Sequence, residues 1–335
     1  MKTALITGIT GMVGSHLADY ILENSDWNIV GMARWRSPID NIGHLVDRIN
    51  EGDRIRLSYG DLNDIVSLQN VLKSSKPDYI FHLAAQSFPK TSFESPIETY
   101  STNIIGTANL LEAARLMGSD PWIHICSSSE VFGRVPKEKL PINEDCQFHP
   151  ASPYAISKIG TDLIARFHAD AYGQKVISTR MFTHTGPRRG DVFAESSFAK
   201  QIAMIEARVM EPVIKVGNLD SLRTFADVRD AVRAYFMLLT ENPISGEYYN
   251  IGGEHVARIG EMLDYLISLS TMDEITIEVD ESRLRPIDAD LQIPDTTKFR
   301  DHTSWSPEIP FEKTMQDLLD YWRDRISRGM SALQR

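Results

Sequence analysis

Tyr154 and Lys158 stand four residues apart, directly behind Ser152-Pro153. Ser152 reads as an N-cap and Pro153 as the first helical residue, so the pair belongs on one helix. At that spacing both side chains share a face, about 6 Å apart along the axis. An ammonium beside a phenol lowers the phenol's pKa, which makes Tyr154 a candidate proton-transfer group. A lone Tyr-x-x-x-Lys is common by chance, so its meaning depends on the elements that precede it.

A second group of special residues stands near the start. An apolar run, Lys2 to Thr7, enters Gly8-Ile9-Thr10-Gly11-Met12-Val13-Gly14, and a helix begins near Ser15. Gly8 permits a tight turn, Gly11 lets backbone N–H groups approach a pyrophosphate, and Gly14 allows close helix-strand packing. The GxxGxxG spacing reads as a dinucleotide loop or, alone, as a tight strand-helix turn. The second apolar run ends in Arg34-Trp35-Arg36 without an acid. An acid there would bond the 2′-hydroxyl of NAD, whereas arginine suits the 2′-phosphate of NADP; the bland reading is two solvated arginines.

The elements that must position these groups are legible as alternation. Lys2–Thr7, Asn28–Ala33, Ile55–Gly60, Tyr79–Ala84, Trp122–Ser127 and Val176–Phe182 read as buried strands. Gly14–Glu23 and Ile104–Leu116 between them read as helices. This predicts an α/β fold: a Rossmann-type, doubly wound parallel sheet with ligands at the carboxyl ends of its strands. After Phe182 the alternation falters. Thr183–Leu222 reads as irregular, Phe225–Leu239 as helix, Glu247–Ile251 as a further strand, and Phe311–Ile326 as a final amphipathic helix. The expected domains are 1–182 plus 223–255, holding the cofactor, and a smaller, discontinuous C-terminal substrate domain, 183–222 plus 256–335.

Composition narrows the function. The 335 residues are 42% hydrophobic and 24% charged, which suits a folded chain with a large core. A net charge of −11 argues against nucleic acid as a partner, while a phosphorylated small molecule remains compatible through local arginines. No apolar run reaches membrane-spanning length, and the first apolar run meets Gly8 too soon for a signal peptide. Cys126 and Cys146 have no metal-like spacing, so reduced thiols, a cytoplasmic location and no metal are expected.

Asp61-Leu62 after the third strand and Leu83-Ala84-Ala85 after the fourth, with the glycine loop, resemble nucleotide-dependent short-chain dehydrogenase/reductases. Beyond that the resemblance covers nearly the whole chain and is to the GDP-mannose 4,6-dehydratase family. It is carried by Ser128-Ser129-Glu130, by His82-Leu83-Ala84-Ala85-Gln86-Ser87 with Ser92-Phe93, and by Phe182-Thr183-His184-Thr185-Gly186-Pro187-Arg188-Arg189-Gly190. Val216–Arg223 and Arg285-Pro286 extend it. The chain departs from the family at Thr183 (Asn there), Thr185 (Glu there) and Glu98 (Tyr there). Its C-terminal half looks closer to the sister GDP-4-keto-6-deoxymannose reductases, which can also carry Ser-Ser-Glu.

The resemblance implies roles. Ser128, Glu130, Tyr154 and Lys158 would be catalytic, with Glu130 removing the sugar's C5 proton; the structural alternative is a cap on the following turn. NADP would lie against Gly8, Thr10, Gly11, Met12, Val13, Gly14, Arg34, Arg36, Asp61, Leu62, Leu83, Ala84, Ala85, Gln86 and Ser87. Tyr154, Lys158, His184 and Arg189 would complete its site, with Arg188 in the same patch. Ser87, Ser128, Thr183, Asn218, Arg223 and Arg285 would bind the GDP-sugar, the two arginines clamping its diphosphate. The implied reaction is conversion of GDP-mannose, or a close GDP-hexose, to its 4-keto-6-deoxy derivative by a homodimer or homotetramer. NADPH-dependent reduction of a 4-keto-6-deoxy sugar is the alternative. A cofactor-binding regulator without turnover would not need Ser128, Tyr154 and Lys158 together.

Overall fold

The computed structural model describes residues 1–118, 120–287 and 289–329. Seven short apolar runs form one sheet: β1 (Thr3–Thr7), β2 (Asn28–Ala33), β3 (Ile55–Tyr59), β4 (Tyr79–His82), β5 (Trp122–Cys126), β6 (Val176–Met181) and β7 (Tyr248–Ile251). Their order is β3-β2-β1-β4-β5-β6-β7, every neighbouring pair parallel. Strand direction of travel reverses between β1 and β4, which opens a crevice at their carboxyl ends.

Helices cover both faces, as a sheet with such continuous apolar strands requires. The longer helices are α1 (Met12–Asn24), α2 (Ile65–Ser75), α3 (Gly106–Leu116), α4 (Pro153–Tyr172), α5 (Ala194–Glu206), α6 (Val228–Thr240), α7 (Ile259–Ser268) and α8 (Phe311–Ser327). Leu17 and Ile21 of α1 pack with Tyr235 and Leu238 of α6 under one face. Leu68 and Leu72 of α2, Leu110 and Leu111 of α3 and Ala165 of α4 fill the other. Each such aliphatic side chain, fully buried, contributes roughly 1.5–3 kcal/mol. Among the described residues, no helix is long and apolar enough to cross a membrane.

The second lobe has its own core. Phe198 and Ile202 of α5, Met262 and Leu266 of α7, and Met315, Leu318 and Trp322 of α8 meet there. Val213–Val216 pairs in parallel with Thr276–Val279. Leu222–Asp227 pairs with His255–Arg258, Leu291–Gln292 and His184–Thr185 in a smaller sheet.

Two expectations are corrected here. The stretch 183–222 is not irregular: α5 and two short strands lie inside it, with Phe198, Ile202 and Ile205 at helical spacing behind a Gly- and Arg-rich entry. Phe225 and Ala226 are strand, not helix. The change of state falls at Asp227, whose carboxylate accepts the Arg229 N–H and caps α6.

One buried ion pair ties β6 to α4. Arg180 of β6 donates to both carboxylate oxygens of Asp162 on α4, at 3.0 and 3.1 Å, and to the Glu144 carbonyl at 2.8 Å. Both side chains are essentially inaccessible, and the guanidinium lies against the Phe148 and Tyr248 rings. Removing one member leaves an uncompensated buried charge. Asp162→Ala is therefore expected to lower unfolding free energy by about 3–5 kcal/mol, measured by urea denaturation.

Candidate active site

The glycine loop is built by close approach. Gly8 has φ +73°, and a Cβ on it would fall 2.8 Å from the Ala84 nitrogen. A Cβ on Gly14 would fall 2.3 Å from the Gly8 carbonyl oxygen. Gly11 caps α1 without a side chain, so the first-turn N–H groups near Met12 and Val13 face outward for an anion. Asn41 donates to the Thr10 carbonyl and braces the loop. Thr7 supports it from below: its hydroxyl oxygen accepts the Leu83 and Ala84 N–H groups at 3.1 and 3.2 Å.

That hydroxyl's one proton goes to His82 Nδ1 at 2.9 Å. His82 Nε2–H then donates to Thr107, and Thr107 donates to the Asn103 carbonyl. Burial, and then the charge of Lys158, hold His82 down to about 3, so it is neutral.

Asn103 is the residue that sequence reasoning missed. It sits in a π turn, Ser101–Ile105, just ahead of α3. Its side chain accepts the Gln86 N–H at 2.8 Å, donates to the Gln86 carbonyl at 2.9 Å and donates to Ser157 at 2.8 Å. Ser157 in turn donates to the Tyr154 carbonyl. Asn103 therefore ties the loop after β4 to the helix that carries Tyr154. A buried Asn inside a helical run was the available signal, since π turns are enriched at functional sites. Ser92 adds a second tie by accepting the Tyr154 N–H at 3.0 Å.

Ser152 caps α4 by accepting the Ala155 N–H, and Pro153 takes the first helical position. Tyr154 and Lys158 then share a face, the ammonium 6.0 Å from the ring centre. Lys158 Nζ donates to the Cys126 carbonyl at 2.7 Å, leaving two N–H bonds for other partners. The expected lowering of the phenol by Lys158 is corrected: burial dominates and pushes the Tyr154 phenol up. The hydrogen bond to Ser128 and the charge of Arg189 act in the opposite direction.

Ser128 and Glu130 lie on the turn leaving β5. Ser128, not Glu130, is the cap: its hydroxyl accepts the Glu130 N–H at 3.2 Å. The Glu130 carboxylate, largely buried, approaches Arg285 at 4.0 Å and acts electrostatically on Tyr154.

The remaining residues divide by place. Arg34 and Arg36 are exposed at the carboxyl end of β2, with Trp35 edge-on to Tyr59 between them. Asp61 accepts the Asn63 N–H, and Leu62 packs beneath Gly106. Ala85 is half-buried and Ser87 exposed at the mouth of the crevice. His184 donates through Nδ1 to the Phe182 carbonyl, leaving Nε2 as an acceptor, and burial holds it down to about 4. Thr183 accepts the Ala226 N–H through its carbonyl. Arg189 ion-pairs with Glu195 at 3.3 Å. Arg188 belongs to a different contact, since it donates to Asp19 of α1 at 2.6 Å. In the second lobe, Asn218 closes a local turn on Asp220, and Arg223 is buried between Ala257 and Gln292.

A doubly wound sheet with a glycine loop at its reversal point, a serine just after β5 and a tyrosine and lysine on the following helix α4 defines a short-chain dehydrogenase/reductase. The model of the GDP-mannose 4,6 dehydratase family matches residues 5–318. The chain belongs to that family. It is 31% identical to a GDP-mannose 4,6-dehydratase of Yersinia enterocolitica, over 95% of this chain and 93% of that one. It is 29% identical to a GDP-6-deoxy-D-mannose reductase of Pseudomonas aeruginosa, over 96% and 97% respectively. Among solved structures it resembles RMD from Pseudomonas aeruginosa complexed with NADPH, at 28% identity and a TM-score of 0.82, covering 97% and 100% of the two chains.

Four histidines whose pKa is held down carry a pH dependence. His16 donates to the Pro187 carbonyl, and burial followed by the charge of Arg188 holds it down to about 4. His184 lies at about 4, His82 and His124 at about 3, all chiefly through burial. Unfolding returns each to about 6.5. Between these limits the unfolded chain binds more protons, so stability rises with pH. The contribution is complete above about pH 7 and is lost as pH falls from about 6.5 toward 4. Urea midpoints across that range should fall on the acid side, and His16→Gln should make the fall shallower.

Proposed function

We propose that this chain converts GDP-mannose, or a close GDP-hexose, to the 4-keto-6-deoxy sugar with NADP as resident cofactor. The observation that carries the reading is the Glu130 carboxylate, two residues from the hydroxyl that bonds the Tyr154 phenol. A 4-ketone acidifies C5, and water leaves C6 only if a base takes the C5 proton. A reductase has no use for such a base.

The residues present suit NADP. The uncapped N-terminus of α1 offers N–H donors to a pyrophosphate, and the glycine loop has no Cβ in the way. Arg34 and Arg36 stand where a 2′-phosphate would lie, without an acid at the strand end. The nicotinamide, when bound, supplies a hydride acceptor and then a donor. Tyr154 takes the proton of the C4 hydroxyl, and Ser128 holds the same oxygen. Lys158 lends its free N–H bonds to the ribose. Glu130 removes the C5 proton. His184 and Arg189 line the cofactor, while Thr183, Ser87, Asn218, Arg223 and Arg285 receive the nucleotide sugar. In this reading 1–182 with 223–255 carries the cofactor and 183–222 with 256–335 the substrate. The crossing segment Leu222–Asp227 belongs to the smaller sheet. A cytoplasmic location accords with the free thiols of Cys126 and Cys146.

The similarity to the Pseudomonas reductase favours one second reading, NADPH-dependent reduction of a GDP-4-keto-6-deoxy sugar. Incubation with GDP-mannose and no added reductant separates the two. The expected result is the 4-keto-6-deoxy product with solvent deuterium at C5. Tyr154→Phe should slow turnover by about 10²–10⁴-fold. Glu130→Gln should still oxidise C4 but abolish product and deuterium entry. No dehydration, together with NADPH-dependent reduction that tolerates Glu130→Gln, establishes the reductase instead.

Assembly follows from an apolar stripe. Ile156, Leu163 and Phe167 on α4 are 45%, 48% and 54% exposed, and Ile105 ahead of α3 is 53% exposed. Spaced along one helical face, they suit pairing with a second copy. Light scattering at micromolar concentration should give a dimer or tetramer, and Leu163→Glu with Phe167→Glu should give monomers.

A further inference from the structure

We propose that Arg285 is a positioning residue for Glu130, reaching across from the second lobe to fix the carboxylate that takes the C5 proton. This rests on the dehydratase reading above and gives Arg285 a task beyond the diphosphate.

The carboxylate needs an anchor from outside its own turn. Glu130 stands in a short turn, Ser129–Val131, where Ser128 holds only its backbone N–H. Its side chain is 16% exposed, and Arg285 Nη1 lies 4.0 Å from its Oε1. Among the described residues no other cationic side chain comes within that distance. A carboxylate largely withdrawn from water is costly without such a paired charge. At 4.0 Å the pair attracts without a direct hydrogen bond, so the oxygen lone pairs stay open to a proton. A base needs that arrangement: held in place, yet not occupied.

The segment that carries Arg285 is itself braced on both sides. Before it, the Asp280 N–H donates to the Val216 carbonyl at 2.9 Å, and Arg283 donates to Ser197 of α5 at 3.1 Å. Lys90, from the loop after β4, donates to the Ser282 carbonyl at 2.6 Å. Beyond it, the Asp290 carbonyl accepts the Leu222 N–H at 2.8 Å, and Leu291–Gln292 pairs with Leu222 and Arg223. The guanidinium therefore reaches Glu130 from a fixed base.

The elimination shows why place matters. The C5–H bond breaks, its electron pair becomes the C5=C6 bond, and the C6 hydroxyl leaves as water with the proton that Glu130 removed. A reacting group misplaced by about 1 Å can cost about 100-fold. A guanidinium carries five N–H donors in a rigid fork, so one edge can face Glu130 while another meets a diphosphate.

The test uses the NADP-loaded enzyme with Arg285→Gln and Arg285→Lys, in heavy water at saturating GDP-mannose. Oxidation at C4 is read as reduced cofactor formed, and proton removal at C5 as deuterium entry. Arg285→Gln should lower deuterium entry per C4 oxidised by about ten- to hundredfold. Arg285→Lys keeps the charge and should recover much of that loss. A residue that only clamps the diphosphate would raise KM and leave deuterium entry per C4 oxidised unchanged at saturation; that pattern overturns the proposal. Should Arg285→Gln not fold, Arg285→Met, which keeps a long side chain without the charge, is read in the same way. Urea midpoints of the ligand-free protein give a second readout. Arg285→Gln combined with Glu130→Gln should lose less than the two single losses added together, because each single variant already breaks the pair. Additive midpoints overturn the pairing whatever the reaction. A wild type that does not dehydrate GDP-mannose overturns the dehydratase reading, while the midpoints still decide whether Arg285 holds Glu130.

Discussion

The site depends on one close approach, the turn after β1 lying against the chain that leaves β4. Gly8 has no Cβ, and any Cβ there would collide with the Ala84 backbone. The Thr7 hydroxyl uses that proximity to accept two backbone N–H groups of the β4 exit. A crevice at the reversal of strand order is a property of the topology, but its width here is set by these two residues. Widening it by a methyl group would move the glycine loop away from the strand ends that hold the remaining groups.

From that contact a chain of neutral hydrogen bonds runs under the crevice. It passes from Thr7 through His82 and Thr107 to Asn103, and from Asn103 to both Gln86 and Ser157. Thr7, His82, Thr107, Asn103 and Ser157 are buried and paired, with Gln86 half-buried at the end of the chain, which gives the network rigidity at little cost. The π turn at Ser101–Ile105 re-aims Asn103 so that one side chain serves a loop and a helix at once. Tyr154 is located to its place on α4 by this network and by Ser92, before any ligand arrives.

Charge is handled differently on the two sides of the crevice. The floor keeps its histidines neutral by burial, so none competes with Lys158 for proton or partner. The far wall keeps permanent cations, each matched: Arg189 by Glu195, and Arg188 by Asp19. Elsewhere the lobes are joined by buried contacts: Phe299 and Trp305 sit in the core under the large sheet, and Thr314 donates to Asp227 at 2.8 Å.

By itself the sequence determined what depends on local order and side-chain period. The strand-helix alternation through Val176–Met181, the glycine spacing, the Ser152-Pro153 start of α4 and the shared face of Tyr154 and Lys158 are all short-range, and the structure has them. It did not determine what depends on packing between distant segments. The switch from strand to helix at Asp227 is decided by the pairing of Leu222–Phe225 with His255–Arg258 and of Ala226 and Asp227 with His184 and Thr185, all distant in sequence. The phenol's proton affinity is decided by burial, which no spacing reports. Ser128 rather than Glu130 caps the turn after β5, because the hydroxyl folds back while the carboxylate turns toward Arg285 of the other lobe. Asn103 stood unremarked in the sequence, because it acquires its role only from partners that folding brings beside it, Gln86 and Ser157.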